Sequence, residues 1–146
     1  MSRNVLLSVR PKYANKIFKR TKTVELRRVR PKRLEKGDLV LLYVTSPVKA
    51  LMGAFKVDKI IEKPLKDLWR IVQKKAGITR QEFDNYYEGV SIGVGIFFNV
   101  QDVQQLDNPI ALDILKAQSF QPPQGFRYCQ TNETAWFKEI ALMFNE

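Results

Sequence analysis

The sequence predicts an α+β domain, in which a small mixed or antiparallel β-barrel carries flanking helices and a C-terminal amphipathic helix. Its 146 residues are 45% hydrophobic, which is enough for one domain with one sizeable core. Several strand-like segments follow one another with only turns between them, as in antiparallel or mixed sheets. Segments with helical apolar spacing lie between and after these strands, so both kinds of element contribute to the fold.

Strands are predicted where short apolar or alternating runs end at turn-forming residues. In the segment 23–28, Glu25 and Arg27 point to one face, while Val24 and Leu26 point to the other. The predicted strands are 4–9, 23–28, 39–45, 51–61, 91–100 and 126–129.

Helices are predicted from apolar spacing and from residues that favour helix ends. Pro11 suits the first turn of a helix, and Ala14 and Ile17 fall on one face of that helix. Thr79 and Glu82 have the spacing of a capping box. The predicted helices are 11–19, 64–76, 79–88, 107–117 and 132–144.

The net charge of +10 is concentrated at the start of the chain. Thirteen of the 25 basic side chains, but only three of the 15 acidic ones, lie in residues 1–38. Such a local positive field favours a polyanion, with nucleic acid first and an anionic membrane surface or a phosphorylated small molecule second. A charge that serves only solubility is the alternative interpretation.

The composition excludes several classes of protein. With no histidine and with Cys129 as its single cysteine, the chain lacks the ligands of an ordinary zinc site and the base of a Ser-His-Asp triad. Asp102, Asp107 and Asp113 are too dispersed for a metal cluster, so no metal or cofactor is expected. The apolar runs are too short to span a membrane, and with no disulfide framework we expect a cytoplasmic protein.

Lys22, Glu25 and Arg27 form the central candidate site. A carboxylate between two cations orients them and leaves a cationic surface with one hydrogen-bond acceptor, which suits a phosphate together with a base or ribose edge. The alternative is an ion pair on a solvated face of the strand, which contributes about 0–1 kcal/mol to stability.

Two further segments offer contacts to a nucleotide. Arg10 and Lys12 flank Pro11, where the free N–H groups of a helix start suit a phosphate. Strand alternation places Tyr43 and Thr45 on one face. One interpretation is that Tyr43 stacks on a base, while the hydroxyls of Thr45 and the adjacent Ser46 contact phosphate or sugar. The alternative is that Tyr43 belongs to the core and the hydroxyls cap a turn.

The rim of this site is expected to carry a glutamine and a basic run. Gln124 follows two prolines that fix its loop, and Arg28 begins a basic run that continues to residue 33. Next to a binding cleft this run is suited to follow a nucleic-acid backbone, whereas elsewhere it is a solvated loop.

Four sequence blocks resemble the ASCH domain family of the PUA-like superfamily. They are SVRPKYA (8–14), KTVELR (22–27), YVTSP (43–47) and PPQGFRY (122–128), and they occur in the family's order. The resemblance covers about residues 5–129 and implies a small β-barrel with a positively charged cleft. It also implies RNA or nucleotide binding without any membrane function. Some relatives act as acetylcytidine hydrolases or as metal-assisted ribonucleases.

The chain departs from the family's pattern at three places. Arg20 stands where the family often has glycine, which strains a turn with positive φ by roughly 1 kcal/mol. Lys22 matches the lysine of the acetylcytidine hydrolase branch, but Glu25 replaces its threonine. Residues 73–75 offer no acid equivalent to the branch's helical glutamate, which argues against that chemistry.

We expect a non-catalytic module, residues 1–129, that binds single-stranded or structured RNA in preference to duplex DNA and that acts in RNA metabolism or transcription. The alternative is a hydrolase of a modified nucleoside or a ribonuclease, with Lys22 as base and Glu25 as its acid/base partner. We expect residues 130–146 to form a helical extension packed on the same domain. A third possibility is a regulator whose terminal helix docks a protein partner.

Overall fold

A computed structural model describes residues 3–130 together with Glu133 and Leu142. Within these residues the chain forms eight β-strands, four α-helices and a 3₁₀ turn at Val100–Asp102. In chain order the strands and helices are β1 (Val5–Val9), α1 (Pro11–Phe18), β2 (Val24–Arg27), β3 (Leu39–Val44), β4 (Ala50–Lys56), β5 (Lys59–Pro64), α2 (Leu65–Val72), α3 (Arg80–Tyr86), β6 (Ile92–Phe97), β7 (Val103–Ala111), α4 (Leu112–Lys116) and β8 (Phe126–Tyr128).

The strands pair into two sheets. A five-stranded sheet has the order β7-β4-β3-β1-β8, in which β1 and β3 are parallel and the other pairs are antiparallel. Because parallel neighbours need a crossover connection, α1 and β2 lie between β1 and β3 in the chain. The second sheet is antiparallel, with the order β2-β6-β5. The predicted α+β class with mixed pairing is confirmed, while closure into a barrel stays a prediction.

The main core lies between the two sheets. Val5 and Leu7 of β1 point into it from one side, and Val94 and Ile96 of β6 point into it from the other. Strand alternation places Leu6 on the opposite face of β1. Burial of each such side chain contributes about 1.5–3 kcal/mol, so this layer holds the sheets against each other.

Helices cover the outer faces of both sheets. Leu115 of α4 packs with Leu41 of β3 on the five-stranded sheet. Leu68 of α2 and Phe83 of α3 pack with Leu26 of β2 on the three-stranded sheet. None of the described helices has the length and apolar composition that crossing a membrane requires.

The single strand predicted over 51–61 is wrong, because β4 and β5 are separate strands joined by Val57 and Asp58. Val57 donates its N–H to the main-chain oxygen of Asp38 at 2.9 Å, and Asp58 donates to that of Phe97 at 2.8 Å. The chain therefore leaves one sheet and enters the other within two residues. An apolar run does not reveal this change of partner.

The helix predicted over 107–117 is correct only in its last part, where α4 lies. The preceding residues continue β7, which pairs with β4 so that Ile110 lies opposite Leu51. Pro109 is compatible with this strand because β7 lies at the sheet edge, where one side needs no N–H donor. Sheet pairing thus overrides the local helical pattern. The terminal helix predicted over 132–144 lies outside the described residues, apart from Glu133 and Leu142.

Candidate functional site

A cavity of about 610 Å³ opens beside the ends of the two sheets. Its walls come from the end of β1, the first turn of α1, strand β2 and helix α3. This volume lies within the roughly 300–1,000 Å³ of small-ligand sites. The sequence-predicted residues that line the cavity are Arg10, Lys22, Glu25, Arg27, Thr45 and Gln124, whereas Lys12, Arg28, Tyr43 and Ser46 are not among its lining residues.

Lys22 is buried in the cavity wall, with 2% of the residue exposed. Its Nζ donates a hydrogen bond to the main-chain oxygen of Ala76 at 2.6 Å and lies 5.6 Å from the centre of the Tyr13 ring. Burial lowers the pKa of Lys22; Glu25 raises this pKa and Arg27 lowers it. Lys22 therefore has the environment of an amine that gives up its proton more easily than a surface lysine.

Glu25 and Arg27 lie two residues apart on β2, so their side chains share a face. Oε1 of Glu25 is 3.7 Å from Nη2 of Arg27, and that Nη2 donates to the main-chain oxygen of Ser8 at 3.1 Å. Oε2 of Glu25 and Nε of Arg27 are buried and have no hydrogen-bond partner among the described residues. Since the two side chains are only 8% and 14% exposed, this is not an ion pair on a solvated face.

Glu82 connects α3 to α1 at the cavity. Its Oε2 accepts hydrogen bonds from Tyr13 Oη at 2.6 Å and from Lys12 Nζ at 2.9 Å. Its Oε1 accepts the N–H of Thr79 at 3.0 Å, which confirms the predicted capping box. The hydrogen bond from Tyr13 lowers the pKa of Glu82 to about 2, and burial raises the pKa of Tyr13 to about 12. Lys12 was predicted to bind phosphate at the start of α1, but its ammonium group is paired with Glu82.

Two residues in the left-handed region shape the wall around Lys22. Arg20 follows α1 with φ of +67° and turns the chain toward β2. Gly77 has φ of +66°, and a Cβ atom there would lie 3.2 Å from Cβ of Lys22. Gly77 therefore allows the loop before α3 to pack directly on Lys22.

The basic run after β2 is only partly free to contact a ligand. Arg30 forms an ion pair with Glu62 at 3.5 Å, and the guanidinium of Arg33 lies 3.8 Å from the centre of the Tyr128 ring. Arg28 is exposed and donates to a main-chain oxygen at the end of α3. Arg28 directly follows β2, the strand that lines the cavity, and is the member of this run that is placed next to the site.

Tyr43 and Ser46 lie apart from the cavity-lining set. Tyr43 is 4% exposed and its ring packs 5.8 Å from that of Phe120 on the outer face of the five-stranded sheet. Tyr43 shares its face of β3 with Leu41, and the strand ends at Val44. Thr45 therefore lies beyond the strand, and the alternation expected to join it to Tyr43 does not apply. Ser46 is exposed in the following turn.

Helix α3 contributes residues that the sequence did not suggest for the site. Asn85 and Tyr86 line the cavity together with Glu82. Tyr87 is 1% exposed and packs with Phe83 in the core, which leaves the preceding tyrosine at the edge of the helix. The sequence does contain a signal for this arrangement. Phe83 and Tyr87 are four residues apart and so share the core-facing side of the helix, which leaves Tyr86 outside the core.

Other reactive groups of the described residues give no second centre. Across residues 3–130, with Glu133 and Leu142, no three Cys, Asp or Glu side chains are grouped closely enough to hold a metal ion. Cys129 is buried, and burial raises its pKa to about 12, which is typical of a structural thiol.

The sequence profile of the ASCH domain matches residues 7–146. The chain belongs to the ASCH family. An ASCH domain-containing ribonuclease of Zymomonas mobilis is 31% identical over 134 residues, covering 90% of this chain and 88% of that protein. The crystal structure of ASCH from Zymomonas mobilis superposes with a TM-score of 0.85 at 28% identity, covering 94% of this chain and 95% of the other.

This ASCH domain is also similar to a segment of a longer protein. The large ribosomal subunit protein uL22 of Ureaplasma parvum is 34% identical over 86 residues, which are 58% of this chain and 27% of that protein. The profile match continues past residue 129, and the division into residues 1–129 and 130–146 stays a prediction.

The departures from the ASCH pattern have structural counterparts. Arg20 adopts the positive φ that the family's glycine would favour. Residues 73–75 contain no acidic side chain, but α3 supplies Glu82 to the cavity wall. That carboxylate is engaged by Tyr13 and Lys12, so it holds two helices together.

Proposed function

We propose that this ASCH domain binds RNA, in single-stranded or structured form rather than duplex DNA, by enclosing part of one nucleotide in the cavity. The observation that carries this proposal is the pair of buried atoms, Oε2 of Glu25 and Nε of Arg27, that lack partners among the described residues. Buried polar atoms are nearly always hydrogen-bonded, so their pairing by a ligand is favoured. One accepts and the other donates, as the edges of a nucleotide require.

The charge around the cavity supports the same ligand. Arg10 lines the cavity at the start of α1, and Arg28 is exposed directly after β2. Arginine presents a planar set of donors that matches phosphate. With the net charge of +10 concentrated in the first 38 residues, phosphates on either side of the enclosed nucleotide are attracted to this rim.

The relatives support a function that involves RNA. One is named a ribonuclease and another a protein of the large ribosomal subunit. A regulatory role in RNA metabolism or transcription, and a protein partner for residues 130–146, are compatible extensions of this proposal.

Fluorescence anisotropy with a labelled single-stranded RNA of roughly 12 nucleotides tests the binding function. We expect tighter binding than to duplex DNA of equal length, and a steep loss of affinity between about 50 and about 200 mM salt. Arg27→Met weakens binding about tenfold, because it removes donors inside the cavity. Arg70→Met is the matched control, since Arg70 lies on α2 outside the cavity lining. An affinity that responds neither to salt nor to Arg27→Met contradicts the proposal.

A second candidate function is RNA cleavage, which is favoured by the ribonuclease name of the 31% identical relative. Within the cavity, Lys22 would act as the base because burial lowers its pKa, with Glu25 as its acid/base partner. Incubation of RNA with the protein, with and without a divalent metal ion, separates the two functions. Cleavage that Lys22→Met abolishes supports the enzyme, whereas RNA that is bound and stays intact supports binding alone. Acetylcytidine tested in the same way examines amide hydrolysis.

A further inference from the structure

Among residues 3–130, no strand pairs with the outer edge of β2, its free edge. The strand has four residues and lies at the end of its sheet, where β6 is its neighbour. The main-chain oxygen of Thr23 accepts the N–H of Phe98 at 3.1 Å, one residue before the strand begins. Main-chain groups that bond to the partner alternate along an antiparallel ladder. Glu25 and Arg27 therefore direct these groups toward β6, and Leu26 directs its N–H and C=O toward the free edge.

This free edge borders the cavity. Glu25, Leu26 and Arg27 all line it, although successive side chains of a strand point to opposite faces. The side chain of Leu26 packs with Val24 and Leu68 in the core beneath α2 and α3. The main-chain N–H and C=O of Leu26 thus face the cavity, and the described residues offer them no main-chain hydrogen bond outside the strand ladder.

The cavity also has an aromatic wall and sufficient room for a base with its ribose. Tyr86 lines it from α3, and 37% of this residue is exposed. An aromatic ring at the mouth of a pocket stacks on a base of any sequence, while polar groups deeper inside recognise its edge. An unpaired base enters such a pocket at little cost, because no base pair has to be broken.

We propose that a single unpaired base with an exocyclic amino group lies edge-on against β2, recognised by the main chain of Leu26 and by the side chains of Glu25 and Arg27. This inference rests on the RNA-binding function proposed above and specifies its ligand. The site offers two donors, the N–H of Leu26 and Nε of Arg27. It also offers two acceptors, the C=O of Leu26 and Oε2 of Glu25. Pairing both acceptors takes two N–H groups on the base.

The number of N–H groups distinguishes the bases. Adenine and cytosine carry an amino group with two N–H bonds, and guanine adds a ring N–H, whereas uracil has only its ring N–H. Bound uracil therefore leaves Oε2 of Glu25 or the C=O of Leu26 buried without a donor. An unpaired buried acceptor weakens binding by roughly tenfold, so the site favours amino-bearing bases by rejecting uracil.

The first test uses an oligouridine of roughly nine nucleotides whose central position is adenosine, cytidine, purine riboside, uridine or an abasic ribose. We expect adenosine and cytidine to bind about tenfold more tightly than uridine. Purine riboside, which has the ring of adenosine without its amino group, falls to the uridine level or below. Equal binding of all five overturns base recognition while RNA binding stands, and absence of binding to every one overturns RNA binding itself. Preference for cytidine monophosphate over uridine monophosphate without binding of the oligonucleotides assigns the same pocket to a free nucleotide.

The second test changes the protein. Glu25→Gln replaces one acceptor oxygen with an NH₂ donor at nearly unchanged volume, so the preference for cytidine over uridine shrinks to about threefold or less. Glu35→Gln removes the same charge from a side chain that is 66% exposed outside the cavity, and it leaves the preference unchanged. A full preference in Glu25→Gln contradicts the role of Glu25; if this variant does not fold, the oligonucleotide series with the wild-type chain decides.

Discussion

Arg27 links the two sheets through Ser8, whose main-chain oxygen accepts a hydrogen bond from Nη2 of Arg27 at 3.1 Å. Arg27 belongs to β2 and Ser8 to β1, so the bond crosses from one sheet to the other beside the cavity. Nε of the same guanidinium is buried without a partner among the described residues. One side chain therefore joins the two sheets and, in the RNA complex proposed above, supplies a donor to the ligand.

Arg27→Lys separates charge from geometry. Lysine keeps the positive charge but has no planar set of donors, so it cannot serve Ser8 and the cavity at once. We expect RNA affinity to fall about tenfold and the free energy of unfolding to fall by about 1–2 kcal/mol. Anisotropy and urea unfolding measure the two effects, and Arg28→Lys, at the exposed neighbour, changes the unfolding free energy by less than about 0.5 kcal/mol. Unchanged RNA affinity in Arg27→Lys would show that the planar guanidinium group does not contact the RNA.

Lys22→Met tests the buried amine through the pH dependence of stability. The pKa of Lys22 in the folded state lies below its ordinary 10.5, so unfolding takes up protons. The stability of the wild type relative to the variant therefore rises with pH through the window between the lowered pKa and 10.5. Urea unfolding of both chains between about pH 7 and about pH 9.5 measures this difference, below the titration of unfolded tyrosines. A difference that is constant with pH contradicts an altered pKa.

Glu82→Gln removes the carboxylate that joins α1 to α3. The variant weakens hydrogen bonds from Tyr13 and Lys12, so we expect it to lower the free energy of unfolding by about 1–2 kcal/mol near neutral pH. Because the folded pKa of Glu82 is lowered from 4.5 to about 2, its stabilisation is present above pH 4.5 and is lost as the pH falls toward 2. Urea unfolding at acidic and neutral pH should show the two proteins converging in acid. Glu62→Gln, in an exposed ion pair with Arg30, serves as the control and costs about 0–1 kcal/mol.

Arg20→Gly relieves a strained backbone. Arg20 has φ of +67°, which costs a residue with a side chain about 1 kcal/mol and costs glycine almost nothing. The greater freedom of glycine in the unfolded chain offsets part of this gain, so we expect a net stabilisation of about 0.5 kcal/mol. Lys19→Gly, at φ of −80°, should instead destabilise by about 0.5–1 kcal/mol. Thermal unfolding of the two variants side by side gives the comparison, and a destabilised Arg20→Gly would mean that the arginine side chain itself supports the fold.

Local chemistry explains which elements could be predicted from the sequence. Pro11 marks the start of α1, and the Thr79–Glu82 capping box marks that of α3, because these signals act within a few residues. The break at Val57 and Asp58 was missed because it depends on pairing with distant strands. The first part of the helix predicted over 107–117 is instead strand β7, because these residues pair with β4.

The candidate site was predictable where its residues share one short segment. Lys22, Glu25 and Arg27 lie within six residues, with Glu25 and Arg27 on one face of β2 and Lys22 before the strand begins. Glu82 and Tyr86 come from a helix that only tertiary packing brings to the cavity, about sixty residues along the chain. Tyr43 illustrates the reverse error, since its strand ends one residue later and directs the ring into the opposite layer.

The location of the cavity beside both sheets has a mechanical consequence. A molecule bound there would contact β1 of one sheet and β2 of the other, and so would stabilise the packing of the two sheets against each other. Occupancy would then raise the melting temperature in proportion to the logarithm of ligand concentration once the site is saturated. It would also slow digestion by proteases that cleave only when the two sheets separate.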